Sequence, residues 1–287
     1  SAFFLLVINR QENPKALVVW LHGLGADSSD FKDIVGRLNL LEIEFILPNA
    51  PLRPITINQG LSMRGWYDIK GTHKSIDFNY QDDPGLISSM RRIEEIITER
   101  MRQLDKKTKI IIVGFSQGGA LALYTGLSSE IKFDGIISLS GYQPKILNKD
   151  PIKKNIPILA MHGKHDDIID VNIAKLSYKD NSPESFNFKI YEMGHELIDS
   201  QLLDIQKFLL GIKDYDWKKI GIESILKQLE KIVTQMEEEN LNLEDTLKSY
   251  ENGISLVKEA QESLNKIEEK IQILSENNEL NNLDLDE

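Results

Sequence analysis

The sequence contains no cysteine among its 287 residues. This absence excludes a disulfide framework, thiol chemistry and any metal site built on cysteine ligands. Because disulfides are typical of exported proteins, a cytoplasmic location is the default expectation.

A hydrophobic run long enough to cross a membrane is also missing. The longest apolar run near the N-terminus covers residues 2–8 and is followed by Asn-Arg-Gln-Glu at 9–12. A membrane helix needs about 20 apolar residues, and a leader peptide needs a basic flank that this run lacks. We therefore expect no membrane span and interpret the run as a first strand.

Positive charge is scarce in only one part of the chain. The net charge of the chain is −11. The segment from Asp214 onward contains 19 acidic and 8 basic residues, whereas the first 213 residues contain 26 of each. An acidic segment repels nucleic-acid phosphates. No direct contact with nucleic acid is therefore expected.

The sequence does contain a Gly-x-Ser-x-Gly turn at 114–118, between an apolar run at 110–113 and a small-residue helix start. The β-branched run is typical of a strand buried on both faces, and the glycines suit a sharp turn that lifts Ser116 above a sheet. A flexible serine loop is the alternative, but the flanking patterns favour a nucleophile elbow. Ser116 is therefore the candidate nucleophile.

A second glycine-rich loop, His-Gly-Leu-Gly-Ala-Asp at 22–27, follows an apolar strand. It matches neither the Gly-x-x-x-x-Gly-Lys-Ser/Thr nor the Gly-x-Gly-x-x-Gly pattern of phosphate-binding loops, and no cofactor is expected. In a hydrolase with a serine elbow, this loop supplies the second donor to the oxyanion. We predict that the backbone N–H groups of Leu24 and Gln117 form the oxyanion hole.

Short apolar strands alternate with helical patterns over the first 210 residues. Strands are predicted at 3–8, 17–22, 44–47, 110–113, 135–141, 156–163 and 188–193, and helices at 31–38, 84–104 and 197–210. This alternation predicts an α/β fold with a mainly parallel sheet and helices on both faces. Catalytic groups in such sheets lie at the carboxyl ends of the strands.

Three residues that each follow a predicted strand have the order nucleophile, acid, base. They are Ser116, Asp166 and His195, and this order is the one expected of α/β-hydrolases. A serine hydroxyl needs a base to take its proton, and the base needs an acid that holds its tautomer. Asp167 and Asp170 compete for the acid role, and Asp166 is favoured because it lies nearest to the strand end.

Four other histidines compete with His195 for the role of base. His22 and His162 stand in strand-exit His-Gly pairs and are expected to brace loops, His73 precedes the elbow, and His165 comes before the last strand. The competing interpretation is a metal site, because two histidines and two aspartates cluster at 162–167. Their spacing suits no defined site as well as the order suits a serine hydrolase, so no metal is expected.

The stretch after Pro-Asn-Ala-Pro at 48–51 carries the aromatic residues Trp66 and Tyr67. Long loops with aromatic side chains often line a binding cleft, so both are candidate substrate-binding residues. The alternative, that they only cover the core, is equally compatible with the sequence.

Five short motifs together resemble the phospholipase/carboxylesterase family, which includes the acyl-protein thioesterases. They are His-Gly-Leu-Gly at 22–25, Trp-Tyr-Asp at 66–68, Gly-Phe-Ser-Gln-Gly-Gly-Ala at 114–120, His-Gly-Lys-His-Asp at 162–166 and Gly-His-Glu at 194–196. The resemblance covers about residues 3–210. It implies an α/β-hydrolase fold, the triad Ser116, Asp166 and His195, and hydrolysis of short- to medium-chain acyl esters or thioesters.

From residue 222 the pattern changes to heptads. The apolar positions are Ile222, Leu226, Leu229, Val233 and Met236, then Tyr250, Gly253, Val257, Ala260, Leu264, Ile267, Ile271 and Leu274. A break at 239–242 predicts two antiparallel helices, and because a hairpin this thin cannot bury its own seam, it needs a partner. The tail from about residue 277 is polar and acidic, and we expect it to be disordered.

By pattern alone the hairpin fits a dimerisation coiled coil, but its sequence is more particular. Leu-Glu-Lys-Ile-Val at 229–233, Glu-Glu-Asn-Leu-Asn-Leu-Glu-Asp at 238–245 and Tyr-Glu-Asn-Gly at 250–253 resemble the small subunit of exonuclease VII over residues 222–275. The resemblance implies a helical subunit that binds the large, catalytic subunit of an enzyme that degrades single-stranded DNA. We therefore expect two domains, a serine hydrolase at 1–213 and this hairpin with its acidic tail at 214–287.

Overall fold

The structure, a computed structural model, describes residues 4–72, 75–146, 156–181 and 185–211, together with Glu251, Gly253, Ile254, Val257 and Lys258. The chain divides into two compact units, Ser1–Lys213 and Asp214–Glu287. The five described residues of the second unit are helical. The remainder of the predicted hairpin and the acidic tail lie outside the described residues.

The first unit alternates strands and helices along the chain. Its strands are β1 (Leu5–Ile8), β2 (Ala16–Leu21), β3 (Ile43–Pro48), β4 (Leu52–Ile55), β5 (Leu61–Arg64), β6 (Gly71–Thr72), β7 (Ser75–Ile76), β8 (Lys109–Phe115), β9 (Gly135–Leu139), β10 (Ile158–Gly163) and β11 (Phe186–Tyr191). Its helices are α1 (Lys32–Leu38), α2 (Asp83–Met101), α3 (Gln117–Ser128), α4 (Val171–Ser177) and α5 (Asp199–Gly211). Within the described ranges, no helix has both the length and the apolar character needed to span a membrane.

Seven of these strands form one sheet, in the order β1-β3-β2-β8-β9-β10-β11. All neighbouring pairs are parallel except β1 with β3, which is antiparallel. The predicted α/β fold with a mainly parallel sheet is therefore confirmed. Because β8, β9 and β10 lie side by side, the loops at their carboxyl ends open at the same edge of the sheet.

The sheet has a hydrophobic layer on each face, and β2 shows how the sequence builds both. Its side chains alternate, so that Leu17, Val19 and Leu21 belong to one buried cluster and Ala16, Val18 and Trp20 to the other. Helices α2, α3 and α4 cover the first face, whereas α1 and α5 cover the second. Burial on both faces explains why the central strands are continuous apolar runs.

Several boundaries differ from the sequence predictions. The last strand ends at Tyr191 rather than at 193, because its register with β10 runs from Phe186 to Tyr191. The helix predicted at 84–104 ends at Met101, and α4 was not predicted. The stretch after residue 51 contains the hairpins β4–β5 and β6–β7. Their strands are two to four residues long and largely exposed, so they carry no strand-like alternation of apolar residues.

Candidate active site

Ser116 lies in a strained turn between the end of β8 and the start of α3. Its φ is 55° and its ψ is −117°, a conformation that costs about 1–3 kcal/mol for a residue with a side chain. The flanking glycines are required by sterics. A Cβ atom at Gly114 would overlap the carbonyl of Gly118, and one at Gly118 would overlap the carbonyls of Leu21 and His22. The turn therefore has the geometry that the sequence predicted for a nucleophile elbow.

The side chains of Ser116, His195 and Asp166 form a hydrogen-bonded line. The Oγ of Ser116 lies 2.9 Å from His195 Nε2, and His195 Nδ1 lies 2.7 Å from Asp166 Oδ2. Because a carboxylate only accepts, the ring proton is on Nδ1, which leaves Nε2 to accept from the serine hydroxyl. The ring of Phe115 packs against the imidazole at 5.2 Å between centroids. The arrangement holds the histidine in the tautomer that a general base needs.

Asp166 is buried and its carboxylate is surrounded by donors. Oδ1 accepts from the backbone N–H groups of Ile168 and Ile169 at 2.9 and 2.8 Å. Burial raises the pKa of Asp166, but the hydrogen bonds from His162, His195 and Ile169 outweigh burial and hold this pKa well below its ordinary value. Asp166 is therefore ionised at neutral pH.

The two other acid candidates lie elsewhere. Asp167 is exposed, and Asp170 accepts from the backbone N–H of Asn172 as the N-cap of α4. Neither takes part in the hydrogen bonds that link Ser116, His195 and the acid, which is Asp166.

The other histidines have separate partners. His22 is buried, donates from Nδ1 to the Gly23 carbonyl at 2.7 Å and accepts from the Ala50 amide at 2.9 Å, and burial lowers its pKa. His165 is exposed and pairs with Glu192 at 2.9 Å. His162 is buried beside Asp166, and His73 lies outside the described residues. The histidines and aspartates at 162–167, which the competing metal interpretation grouped together, are thus divided between the core and the surface.

Of the two predicted oxyanion donors, Gln117 directly follows the nucleophile, and Leu24 belongs to the 22–27 loop. Gln117 is the first residue of α3, so its N–H has no acceptor within the helix. The 22–27 loop passes directly beside the serine, since a Cβ atom at Gly23 would lie 3.5 Å from the Ser116 Cβ. The Gly25 N–H is bonded to the Arg64 carbonyl at 2.8 Å, which holds this loop beyond Leu24.

The side chain of Gln117 has a role that the sequence did not reveal. Its Oε1 accepts from the Trp66 N–H at 2.9 Å, and its Nε2 donates to the Tyr67 carbonyl at 2.6 Å. The indole of Trp66 in turn donates to the His22 carbonyl at 2.8 Å. These bonds tie the elbow, the 66–67 segment and the 22–27 loop together. The only sign of this role in the sequence is a glutamine directly after the serine in the Gly-Phe-Ser-Gln-Gly-Gly-Ala motif.

Trp66 and Tyr67 were the predicted substrate-binding residues, and the structure places both in the core. Trp66 is 0% exposed and Tyr67 is 3% exposed. The Tyr67 hydroxyl is bonded to that of Tyr142 at 2.9 Å. This placement is the alternative that the sequence left open. Their substrate-binding role stays a prediction that their burial does not favour.

The loops that carry the acid and the base are paired with each other. The N–H groups of Lys164 and His165 donate to the carbonyls of Tyr191 and Met193 at 2.9 and 3.0 Å. At the surface, Glu192 adds an ion pair with Lys164 and a hydrogen bond with His165. The sequence alone does not indicate this pairing, because the two loops are about 28 residues apart in the chain.

Residues 4–212 match the family described as Phospholipase/Carboxylesterase. The chain belongs to this family. Acyl-protein thioesterase 1 of Emericella nidulans is 35% identical over 215 residues, which cover 68% of this chain and 89% of that protein. Acyl-protein thioesterase 1 of Saccharomyces cerevisiae is 32% identical over 220 residues, which cover 71% of this chain and 96% of that protein.

Solved structures support the same fold. The crystal structure of Zea mays acyl-protein thioesterase 2 matches with a TM-score of 0.64 at 24% identity, covering 73% of this chain and 98% of that chain. The α/β-hydrolase fold is thereby confirmed. As a member of the phospholipase/carboxylesterase family, the first unit is a serine hydrolase of the esterase and thioesterase class.

The second unit matches a different family. Residues 223–273 match the family described as Exonuclease VII small subunit. The expectation that one chain joins a hydrolase to a segment resembling this family is therefore confirmed. The match begins 11 residues after the hydrolase match ends.

Proposed function

We propose that Ser116, His195 and Asp166 hydrolyse short- to medium-chain carboxylic esters or thioesters through an acyl-enzyme. The observation that carries this proposal is the hydrogen-bonded line of 2.9 and 2.7 Å that ends on a buried, ionised carboxylate. The names of the relatives, acyl-protein thioesterases, support the substrate class.

In the first half of the reaction, Ser116 Oγ bonds to the acyl carbon as its proton passes to His195 Nε2. The N–H groups of Leu24 and Gln117 hold the oxyanion, at roughly 3–4 kcal/mol per donor in comparable sites. The imidazolium then protonates the leaving oxygen or sulfur, whose bond to the acyl carbon breaks. Asp166 remains ionised and stabilises the imidazolium.

In the second half, water takes the place of the leaving group. His195 Nε2 accepts a proton from the water as its oxygen bonds to the acyl carbon. The bond between that carbon and Ser116 Oγ then breaks, and the proton returns from His195 to the serine. The products are a free carboxylic acid and the original enzyme.

A Ser116→Ala variant tests this function. We expect it to lose on the order of 10⁴- to 10⁶-fold in kcat, because comparable triad losses have that size. Hydrolysis of p-nitrophenyl acetate, butyrate and octanoate measures chain-length preference. Since the chain has no cysteine, thiol release from acyl thioesters is readable with a disulfide reagent without background from the protein.

A fluorophosphonate label supplies the control for the same experiment. The wild-type chain and a Ser88→Ala variant, which changes an exposed serine of α2, are expected to label at Ser116. The Ser116→Ala variant should remain unlabelled. Esterase activity that survives in Ser116→Ala would overturn the proposed function.

We propose a second function for residues 222–275, that of a non-catalytic small subunit of exonuclease VII. The family match over residues 223–273 favours it. The excess of acidic residues after Asp214 suits contact with a protein rather than with DNA. Co-purification with a large subunit tests this function, and a cytoplasmic location fits both functions.

A further inference from the structure

His162 is a buried histidine that the proposed reaction does not use. It is the penultimate residue of strand β10, just before the loop that carries Asp166, and it is 0% exposed. Its Nε2 lies 2.7 Å from the Ile169 carbonyl and 3.3 Å from Asp166 Oδ2. Both oxygens can only accept, so the ring proton is on Nε2 and is shared between them.

The ring holds both ends of the loop that carries the acid. Ile169 closes the 166–169 turn, and its N–H donates to Asp166 Oδ1 while its carbonyl accepts from His162. Asp166 Oδ1 is thus set by backbone amides, and Oδ2 is set by His162 on one side and by His195 on the other. The Asp166 carboxylate is therefore held in its plane by the two backbone amides and by His162, independently of its bond to the base, His195.

The surroundings of His162 keep the ring in this one arrangement. Its strand pairs in parallel with β9 on one side and with the edge strand β11 on the other, and His162 lies opposite Ile190 in the register with β11. The ring of Phe188 packs 6.5 Å from its own, centroid to centroid. Among the described residues, Nδ1 of His162 has no hydrogen-bond partner. The other tautomer would therefore lose both bonds and gain none that these residues supply.

We infer that His162 is a positioning residue that fixes Asp166 for its bond to His195. This inference rests on the proposed function of Ser116, His195 and Asp166. His162 acts through the acid and touches neither the serine nor the acyl group. Because His162 belongs to strand β10, its ring holds the Asp166 carboxylate in a fixed orientation relative to the rigid sheet.

A pair of amide variants separates this role from a merely structural one. The Nε2 of glutamine reaches the place of histidine Nε2, whereas the shorter asparagine places its amide near Nδ1. In His162→Asn we expect a loss of roughly 10²-fold in kcat for p-nitrophenyl butyrate, as for misplaced catalytic groups, with KM nearly unchanged. His162→Gln should retain most of kcat. The kcat values are calculated per Ser116 labelled by fluorophosphonate, so that unfolded protein does not contribute to the enzyme concentration.

Tyr178→Phe is the matched control within the same layer. The Tyr178 hydroxyl donates to the Gly141 carbonyl at 3.2 Å, and its ring packs against Phe188, but it contacts no member of the proposed triad. We expect this variant to lose thermal stability and to keep kcat. Equal kcat in the Asn and Gln variants, or an equal loss in Tyr178→Phe, would overturn the role of His162.

The outcome also distinguishes this role from the proposed function. A wild-type chain without esterase activity overturns both. An active wild-type chain whose Ser116→Ala variant is inactive, together with Asn and Gln variants of equal kcat, overturns only the positioning role. If His162→Asn yields no folded protein, His162→Phe provides the donor-free comparison with His162→Gln.

Discussion

Asp166 is buried without becoming neutral, because each of its oxygens receives hydrogen bonds. Two backbone amides contact Oδ1, and two histidine rings contact Oδ2. The charge is therefore present before a substrate binds, and it needs no rearrangement during the reaction. Ser116 is likewise in position before a substrate binds. Its strained backbone conformation is possible because Gly114 and Gly118 have no side chains to collide with neighbouring carbonyls.

The depressed pKa of Asp166 predicts a pH dependence of stability. Its carboxylate stabilises the fold above the unfolded-state pKa of about 3.9, and this contribution is lost as the pH falls toward the lower folded-state pKa. In Asp166→Asn the free energy of unfolding should fall less steeply between about pH 5 and pH 3. Urea unfolding of both proteins across this range measures the difference.

The comparison has an internal control. Asp204 also has a lowered pKa through Tyr191 and Lys189, although burial alone would raise it, and it is present in both proteins. Its contribution cancels in the difference. Identical slopes for the wild type and Asp166→Asn would contradict the assignment of an ionised, hydrogen-bonded Asp166.

Elements of the hydrolase are joined by a few buried polar contacts as well as by apolar layers. Helix α2, the longest in the described part of the chain, is tied to β3 by Arg100, whose guanidinium donates to both oxygens of Glu44 at 2.7 and 2.8 Å. The same group donates to the Gln11 carbonyl at 2.7 Å. Arg100 is 9% exposed and Glu44 is 0% exposed, so neither charge has much access to water.

Arg100→Met should destabilise the fold by about 3–5 kcal/mol, because it leaves the Glu44 carboxylate buried without its partner. The double variant Arg100→Met/Glu44→Leu should recover most of this loss, since a buried pair replaced by apolar groups is often neutral. Urea unfolding gives both values. A double variant less stable than Arg100→Met would show that the unpaired Glu44 carboxylate is not the cause of the destabilisation. As a control, kcat per labelled Ser116 should be unchanged in both variants.

The whole molecule combines two units whose family matches do not overlap, residues 4–212 and residues 223–273. Their charges differ as well, since all of the net charge of −11 comes from the segment after Lys213. Each unit has its own proposed function, and loss of one function is expected to leave the other intact.

Co-expression with a tagged exonuclease VII large subunit should capture the full chain. Val233→Asp, which places a charge in the predicted apolar seam, should lower capture, because that seam needs an apolar partner. Ser116→Ala should be captured as the wild type is. Failure to capture the wild-type chain, or equal capture of Val233→Asp, would contradict the second function.

The nucleophile elbow could be predicted from the sequence because its geometry depends on residues that are close together in the chain. The turn around Ser116 needs glycine at 114 and 118 for steric reasons that involve its own neighbours, and the flanking strand and helix have their own periodicity. The order of Ser116, Asp166 and His195 was likewise visible along the chain. The hairpins β4–β5 and β6–β7 were not, because short exposed strands have no hydrophobic pattern.

By itself, the sequence determined the α/β fold, the order of the candidate triad and the change in charge and apolar spacing after residue 213, since each follows from local spacing or composition. The tertiary structure decided which groups surround that triad. The bonds of Gln117 to Trp66 and Tyr67, the burial of both aromatic residues and the contact of His162 with Asp166 depend on where the chain returns to the same place. Such contacts result from packing between distant segments, which no single stretch of sequence encodes.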